Sequence, residues 1–269
     1  MYVCLISIGN ELLSGKTINT NANFLAKRLT NFGFIVKKIL TIPDDPEIVP
    51  REISHLISLG EYRVILITGG LGPTWDDSTA IFLAKALDVD THINSEALSI
   101  VTQRYKDLYD KNLVDTAEIT PARKKMAILP VGSEAIDNSV GTAPGIFLIH
   151  KITNTWIFCL PGVPHEMKEM YKLVESKISV LKKENQIGYY ETEFTTSFTD
   201  ESLLAPFLIQ VRQKYDVWIK SLPEAYQEEK NIRLIISKSA DSEEVAKKEV
   251  LAAKAYLHKL INSSDNNDR

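Results

Sequence analysis

The first 165 residues alternate between strand-like apolar runs and amphipathic segments, and this alternation constrains the fold more than any other feature. Strand-like runs occupy residues 3–8, 34–40 and 64–68. The segments between them carry apolar residues at helical spacing and predict helices over residues 21–32 and 46–59. Repeated strand–helix–strand units predict a parallel sheet with right-handed crossovers, buried on both faces as in a three-layer α/β fold.

The same pattern continues less regularly up to residue 181. Pro121 either opens or interrupts a short helix. The other predicted elements are helices over residues 77–87, 95–109 and 164–181, and short strands over 126–132, 145–150 and 155–162.

After Asn185 the pattern changes to a β-α-β-β-α order, which predicts a small α+β domain. Its elements are a half-buried strand over residues 189–198, a helix over 201–214 capped by Asp200, a hairpin-like pair of strands (217–222 and 232–237) across the polar run 223–231, and a last helix before a polar, frayed tail (262–269). We therefore divide the chain into residues 1–175 and 176–269.

Composition excludes several classes of protein. The 31 Lys and Arg against 35 Asp and Glu leave a net charge of −4, which gives no electrostatic case for nucleic acid. No apolar run is long enough for a membrane span and no signal segment is apparent, so we expect a cytoplasmic protein. Cys4 and Cys159 lie in apolar strands, which is typical of reduced, buried thiols. The five histidines lack the spacing of zinc ligands.

The Gly-Lys-Thr at residues 15–17 invites comparison with the phosphate-binding loop of nucleotide triphosphatases. That loop has four residues between its glycines, whereas five separate Gly9 from Gly15. Glu11 would also place a carboxylate in an anion cradle. The chain is therefore not predicted to be a P-loop protein.

The strongest local motif is TGGLGPTWDDST, residues 68–79, between a predicted strand and a predicted helix. This is where open α/β sheets bind ligands. Glycines allow positive φ angles and close approach to a ligand, and the helix N-terminus favours phosphate. Of Asp76 and Asp77, one is expected to be the N-cap of the helix. The other is expected either to interact favourably with the helix dipole and do nothing more, or to hold a divalent cation that bridges to phosphate.

Three further turns follow predicted strands or separate them: IPDDP (42–46), NSVGTAPGIF (138–147) and LPGVPHEM (160–167). Each has a purely structural interpretation as a turn or a helix start. If the sheet is parallel, however, the ends of its strands meet at one edge. Glu11, Asp44 and Asp77 would then converge beside glycine turns, an arrangement suited to metal-assisted hydrolysis or transfer.

ISIGNELLSGKTINTN, TGGLGPTWDDST, NSVGTAPG and LPGVPHEM, in this order and spacing, resemble the N-terminal domain of the CinA family. That domain is related to the molybdopterin-binding domains of MoaB, MogA and MoeA. The resemblance covers roughly residues 1–175 and implies a molybdopterin-binding-like fold, and the following segment looks like the small linker domain of CinA proteins. We expect a short, archaeal-type member without the family's deamidase domain.

The resemblance implies an ADP-ribose pyrophosphatase activity that depends on a divalent metal, expected to be Mg²⁺. It assigns Asp77, Asp44 and Glu11 to catalysis, with Asp77 and Asp44 as metal ligands. The residues it assigns to ligand binding are Asn10, Gly69, Gly70, Leu71, Gly72, Pro73, Thr74, Asn138, Gly141, Thr142, Pro144, Gly145, Pro161, Gly162 and Glu166.

Two alternatives remain open. Molybdopterin binding or transfer in molybdenum-cofactor assembly would use the same fold, although Leu71, Trp75 and Asp76 depart from the molybdopterin-adenylating branch. A role of the small domain in contacting RNA or a partner is disfavoured by the acidic balance. The resemblance also leads us to expect a homo-oligomer, a small-molecule partner that is a nucleotide diphosphate or molybdopterin, and neither a nucleic-acid nor a membrane partner.

Overall fold

The computed structural model describes residues 1–184, 188–222 and 231–265. The chain forms two compact units. The larger unit comprises Met1–Leu29 and Phe34–Leu181. The smaller unit comprises Thr30–Gly33 and the described residues from Lys182 onward. The predicted boundary after residue 175 falls inside a helix that runs from Pro164 to Glu184.

The first part of the chain alternates strands and helices as predicted. In chain order the elements are β1 (Tyr2–Ile8), α1 (Asn10–Leu13), α2 (Thr20–Asn31), β2 (Ile35–Ile42), α3 (Ile48–Ser58), β3 (Tyr62–Thr68), α4 (Thr79–Leu87), β4 (Thr91–Ile93), α5 (Ser95–Asp110), α6 (Pro121–Lys125), β5 (Ile128–Pro130), β6 (Glu134–Ile136), β7 (Gly145–His150), β8 (Thr155–Leu160) and α7 (Pro164–Glu184).

Six strands of the described residues form one mainly parallel sheet in the order β2-β1-β3-β8-β7-β6. The four strands β2, β1, β3 and β8 pair in parallel, and β7 and β6 are added antiparallel at one side. The prediction of a mostly parallel α/β sheet is therefore confirmed. Of the two antiparallel strands, β7 was predicted as a short strand without direction, because direction depends on which strands become neighbours, and β6 was not predicted.

Both faces of the central strands are buried, which explains their continuous apolar sequences. All residues of β1 from Val3 to Ile8 are buried. Cys4, Ile6 and Ile8 pack in one cluster with side chains of α3, α4 and α5. The alternate residues Val3 and Leu5 face the opposite side of the sheet and are also buried.

Several short elements were not predicted from the sequence. These are β4, β6 and α1; β4 pairs antiparallel in a separate two-stranded sheet with β5, which lies within the strand predicted over residues 126–132. Each spans only three or four residues, too few for a period to appear. Pro121 opens α6, with the Thr120 side chain capping it, which decides the alternative left open by the sequence.

The smaller unit has the predicted β-α-β-β-α order. Its elements are β9 (Gly188–Thr195), α8 (Glu201–Lys214), β10 (Trp218–Leu222), β11 (Arg233–Ala240) and α9 (Glu243–Asp265). The three strands form an antiparallel sheet in the order β10-β11-β9. Leu204 of α8, Leu234 of β11 and Leu257 of α9 share its core.

Two details of the smaller unit complete the comparison with the sequence. The Asp200 side chain accepts a hydrogen bond from the Ser202 N–H, so the predicted cap of α8 is confirmed. The predicted frayed tail is wrong for residues 262–265, which belong to α9. Residues 266–269 and the polar run 223–230 lie outside the described residues. Within the described part of the chain, no helix is long and apolar enough to cross a membrane.

Candidate active site at the carboxyl edge of the parallel sheet

The segments that follow β1, β2, β3 and β8 were predicted to meet at one edge of the sheet, and the strand register confirms this. Ile8 at the end of β1 pairs with Ile42 at the end of β2. Thr68 at the end of β3 pairs with Leu160 at the end of β8. Because these strands are parallel, the segments that follow them emerge side by side at this edge.

The glycine-rich loop after β3 adopts backbone conformations that favour glycine. Gly69 and Gly70 have φ angles of 104° and 68°. A Cβ at Gly69 would collide with the carbonyl oxygen of Ile8. Thr79 fastens the loop, because its Oγ1 donates to the Gly69 carbonyl at 2.8 Å and its N–H donates to the Gly70 carbonyl at 3.0 Å.

Neither Asp76 nor Asp77 caps α4, so that prediction is wrong. The helix begins at Thr79 after Ser78, whose side chain makes no capping hydrogen bond. The Asp77 Oδ2 instead accepts hydrogen bonds from the Thr74 N–H at 3.0 Å and the Thr74 hydroxyl at 2.6 Å. The same hydroxyl lies 2.5 Å from Asp76 Oδ1 and lowers the pKa of Asp76. Both carboxylates therefore belong to the loop.

Asp44 and Asp45 are neighbours with different roles. Asp45 Oδ1 accepts from the N–H groups of Ile48 and Glu47, at 2.8 and 2.9 Å, which lowers the pKa of Asp45 and stabilises the start of α3. Asp44 lies in the site instead. Its partial burial raises the pKa of its carboxyl, and so do the charges of Glu11, Asp76 and Asp77, against the lowering effect of a hydrogen bond from the Asn10 N–H.

A second fixed carboxylate belongs to Glu166 in the first turn of α7. The Nδ2 of fully buried Asn138 donates to Glu166 Oε2 at 2.7 Å and to the Ala143 carbonyl at 2.9 Å. Its Oδ1 accepts from the Gly141 N–H at 2.8 Å. Asn138 thus joins the turn before β7 to the start of α7. A Cβ at Gly141 would collide with the Glu166 carboxylate.

These segments enclose a cleft of about 440 Å³. A volume of this size is typical of small-molecule sites. The sequence-predicted residues that line the cleft are Glu11, Asp44, Gly69, Gly70, Leu71, Gly72, Pro73, Asp77, Thr142, Pro161, Gly162 and Glu166.

Other predicted residues lie around the cleft without lining it. Asn10, Thr74, Asn138 and Gly141 act through the hydrogen bonds given above. Pro144 lines a separate pocket of about 20 Å³, and Gly145 belongs to β7, where a Cβ would press on Met170 and the Cys159 carbonyl. Gly145 is therefore a packing residue.

Some lining residues were not assigned to the site from the sequence: Ile8, Gly9, Asp76, Ala143 and Val163. The motifs offered a signal for Asp76, which neighbours Asp77, and for Gly9, which ends a predicted strand. Ile8 looks like an ordinary core residue in the sequence, and only the meeting of the strand ends brings it to the cleft. Ala143 and Val163 lie within the predicted turns 138–147 and 160–167.

Two helix starts were predicted at this edge, after the 68–79 motif and after the 160–163 turn, and the second of them faces the cleft. Ser78, Ala80 and Ile81 at the start of α4 line the small pocket rather than the cleft. The cleft is instead lined by Pro161, Gly162 and Val163, immediately before the first residue of α7. The unpaired N–H groups and positive dipole at this helix start favour an anionic ligand.

The cleft carries an excess of negative charge. Five carboxylates line it: Glu11, Asp44, Asp76, Asp77 and Glu166. No ion pair found within the described residues involves Glu11, Asp44 or Asp77. In the same described ranges, no three Asp, Glu, His or Cys side chains are close enough to form a complete metal site by themselves. The cleft therefore offers hard oxygen ligands but not a closed metal cage.

Cys4 and Cys159 are buried and free, as predicted. Burial raises the pKa of Cys4 to about 12 and raises that of Cys159 as well. Neither thiol therefore provides a thiolate nucleophile at neutral pH.

Comparison with known proteins agrees with this fold. A family described as a probable molybdopterin binding domain matches residues 4–179. A protein of Sulfurisphaera tokodaii is 37% identical over 260 residues, covering 96% of this chain and 94% of the relative. A protein of Saccharolobus islandicus is 38% identical over 267 residues, covering 97% of each chain.

A solved structure supports the same assignment. The chain is similar to CinA of Thermoplasma acidophilum, a protein of unknown function, with 33% identity and a TM-score of 0.58. The match covers 66% of this chain and 99% of that one. The chain belongs to the family of probable molybdopterin binding domains, and the resemblance to CinA is confirmed.

Proposed function

We propose that this chain is a metal-dependent hydrolase that cleaves the pyrophosphate linkage of ADP-ribose or a related nucleotide diphosphate. The observation that carries the proposal is the cleft of five carboxylates beside glycine turns and the start of α7. A diphosphate is repelled by these carboxylates unless a cation lies between them, because like charges in a partly buried site repel strongly. Binding of such a ligand is therefore coupled to a divalent metal.

The donors in the cleft suit Mg²⁺ or a similar hard cation. Mg²⁺ is commonly bound through one or two carboxylates together with substrate phosphates and water, so a complete protein cage is not required. Asp44 and Asp77 are the ligands we assign, because Asp44 is partly buried among like charges and Asp77 is fixed by Thr74. When bound, the metal would neutralise phosphate charge and activate water.

The chain's own residues bind and orient the substrate in this proposal. The N–H groups at the start of α7 face the phosphates, and the glycine loop allows close approach. Water adds across the P–O–P linkage: its oxygen bonds to one phosphorus, and the bridging oxygen leaves with the other phosphate. We assign Glu11 to accept the proton of the attacking water. The products are AMP and ribose 5-phosphate.

A direct test is AMP release from ADP-ribose with and without Mg²⁺. We expect release by the natural chain in Mg²⁺, none in EDTA, and a loss of about 100-fold in Asp77→Asn, since the amide is a weaker metal ligand. Asp110→Asn, at the exposed end of α5, is the matched control and should keep full activity. No AMP release in any metal would overturn the proposal, and unchanged turnover in Asp77→Asn would remove Asp77 from the site.

The second candidate is molybdopterin binding or transfer, which is favoured by the description of the matching family. It uses the same cleft and small-molecule class of ligand. It predicts tight binding of molybdopterin, measured by fluorescence of the pterin, and no release of AMP from ADP-ribose. Self-association of the chain remains a prediction that sedimentation analysis would check.

A further inference from the structure

One basic side chain lies beside the glycine-rich loop, and it belongs to Lys125. Among the residues that line the cleft in the described part of the chain there is no Lys and no Arg. The small pocket of about 20 Å³ differs, because Lys125 lines it. Four loop residues line both the cleft and this pocket: Gly70, Leu71, Gly72 and Asp77. Lys125 therefore adjoins the part of the loop on which a ligand in the cleft lies.

Lys125 is anchored to this loop by a hydrogen bond. It is the last residue of α6 and is half-buried, and its Nζ donates to the Thr74 carbonyl. The Asp77 N–H donates to the same carbonyl at 3.2 Å. Thr74 thus links the Lys125 ammonium group to a carboxylate of the cleft. Because a long side chain is already ordered here, a ligand that uses it loses less conformational entropy on binding.

The anchored ammonium group keeps donors to spare. A Lys side chain has three N–H donors, and the bond to Thr74 uses one of them. No ion pair of Lys125 is found within residues 1–184, 188–222 and 231–265. Its charge is nevertheless felt at Asp76, whose pKa is lowered by hydrogen bonds, above all that from the Thr74 hydroxyl, and then by Lys125. A charge that no carboxylate pairs with, carrying further donors, suits a phosphate oxygen.

We propose that Lys125 is a substrate contact, and that its ammonium group binds a phosphate oxygen of the diphosphate at the glycine-rich loop. The inference rests on the proposed function, because it requires a diphosphate in the cleft. The metal and Lys125 then share the neutralisation of the two phosphates. This division of charge allows a cleft lined by five carboxylates to hold an anion.

The test is calorimetric binding of Mg²⁺ alone, and then of the methylene-bridged analogue of ADP-ribose in Mg²⁺, which cannot be hydrolysed. Lys125→Met removes the charge and nearly keeps the length of the side chain. We expect it to bind the analogue about 10- to 100-fold more weakly, the loss typical of a hydrogen bond between charged groups. It should bind Mg²⁺ as tightly as the natural chain or more tightly, because a like charge near the metal has been removed.

Three further variants sharpen this test. Lys125→Arg keeps the charge and should recover most of the lost affinity for the analogue. Lys125→Gln removes the charge but keeps an N–H donor for the Thr74 carbonyl, so it should repeat the result of Lys125→Met and replaces it if that variant fails to fold. Lys124→Met, at the exposed neighbour on the same helix, is the matched control and should change neither affinity.

A role of Lys125 in fastening the loop alone predicts a different pattern. Loss of the anchor would then displace Asp77, so Lys125→Met would weaken Mg²⁺ as well as the analogue, and Lys125→Gln would preserve both affinities. Either of these results would overturn the inference. Unchanged binding of the analogue in Lys125→Met would overturn it as well.

The outcomes also separate this inference from the proposed function. Binding of the analogue that depends on Lys125, in a chain that releases no AMP from ADP-ribose, would support the contact and overturn the hydrolase. AMP release by a chain whose Lys125→Met variant binds the analogue normally would support the hydrolase and overturn the contact. If the natural chain does not bind the analogue in Mg²⁺, both proposals are overturned.

Discussion

The carboxylates that line the cleft of the larger unit and those around Lys238 in the smaller unit are arranged in opposite ways. In the smaller unit, Lys238 pairs with Asp216 at 3.0 Å and with Glu249 at 2.9 Å. Burial alone would lower the pKa of Lys238, but its hydrogen bonds to Glu249 and Asp216 outweigh that effect and raise it. In the cleft, partial burial raises the pKa of Asp44, and the charges of Glu11, Asp76 and Asp77 raise it further.

In the proposed function, the unpaired carboxylates of the cleft bind a ligand, whereas the paired carboxylates around Lys238 have no such role. Paired carboxylates on a surface contribute little stability and have no chemical role to lose. Unpaired carboxylates in a cleft oppose folding slightly and are retained where a cation or proton is to be bound. The following predictions test this contrast, beginning with the largest effect.

The largest effect is expected when Asp44 loses its charge. Asp44→Asn keeps an oxygen that can accept the Asn10 N–H but provides a weaker metal ligand. We expect Mg²⁺-dependent AMP release from ADP-ribose to fall at least about 100-fold. Asp216→Asn, the same change at a paired carboxylate of the smaller unit, should leave AMP release unchanged. Equal activity in the two variants would contradict the contrast.

A smaller loss is expected when the support of Asp77 is removed. Thr74→Val deletes the hydroxyl that donates to Asp77 Oδ2 at 2.6 Å. We expect roughly a 10-fold fall in kcat and a weaker apparent affinity for Mg²⁺, as is typical when a partner of a metal ligand is lost. Thr74→Ser retains the hydroxyl and should restore both values. A variant that changes KM alone would show that Thr74 does not act through Asp77.

A third prediction concerns stability against pH in metal-free buffer. Because the pKa of the Asp44 carboxyl is raised in the folded chain, the neutral carboxyl stabilises the folded state relative to the ionised one. This stabilisation is lost as the pH rises through the raised pKa. Asp44→Asn should therefore gain stability relative to the natural chain between about pH 4 and 7, by less than about 1 kcal/mol, because the group is partly exposed. Urea unfolding in EDTA at about pH 4 and about pH 7 measures the difference in the free energy of unfolding between the variant and the natural chain.

Asp45 provides the matched control for that measurement. Its pKa is lowered by the N–H groups of Ile48 and Glu47, so its contribution is present at neutral pH and is lost as the pH falls. Asp45→Asn should therefore lose stability relative to the natural chain at pH 7 and approach it at low pH. The same sign for both neighbours would contradict the roles assigned to them.

The smallest effect is expected in the smaller unit. Glu249→Gln removes one partner of Lys238, while Asp216 remains at 3.0 Å. We expect the free energy of unfolding to fall by a few tenths of a kcal/mol, and the difference to shrink in high salt. Thermal unfolding at two salt concentrations checks this. A fall of more than about 1 kcal/mol would show that the ion pairs of Lys238 contribute more to stability than surface pairs normally do, and would contradict the contrast with the cleft.

The sequence predicted the features of the site that depend on the preferences of single residues or on regular patterns, and missed those that depend on which partners a side chain selects. The strand β1 was predictable because every residue from Val3 to Ile8 is apolar or small, and Gly69 was predictable because it needs a positive φ. The hydrogen bonding of Asp77 was not, because α4 begins at Thr79 and the aspartate accepts hydrogen bonds from Thr74 instead of capping the helix. Local competition of this kind among neighbouring polar residues leaves no periodic signal.

By itself, the sequence determined the alternation of strands and helices, the acidic glycine turns and membership of the family, because these depend on local residue patterns. Only the tertiary structure decided that α7 rather than α4 begins at the cleft, and that Asn138 holds Glu166 across 28 positions of the chain. The physical reason is that strand order and register bring distant segments together, and neither is encoded by the spacing of residues along a single segment.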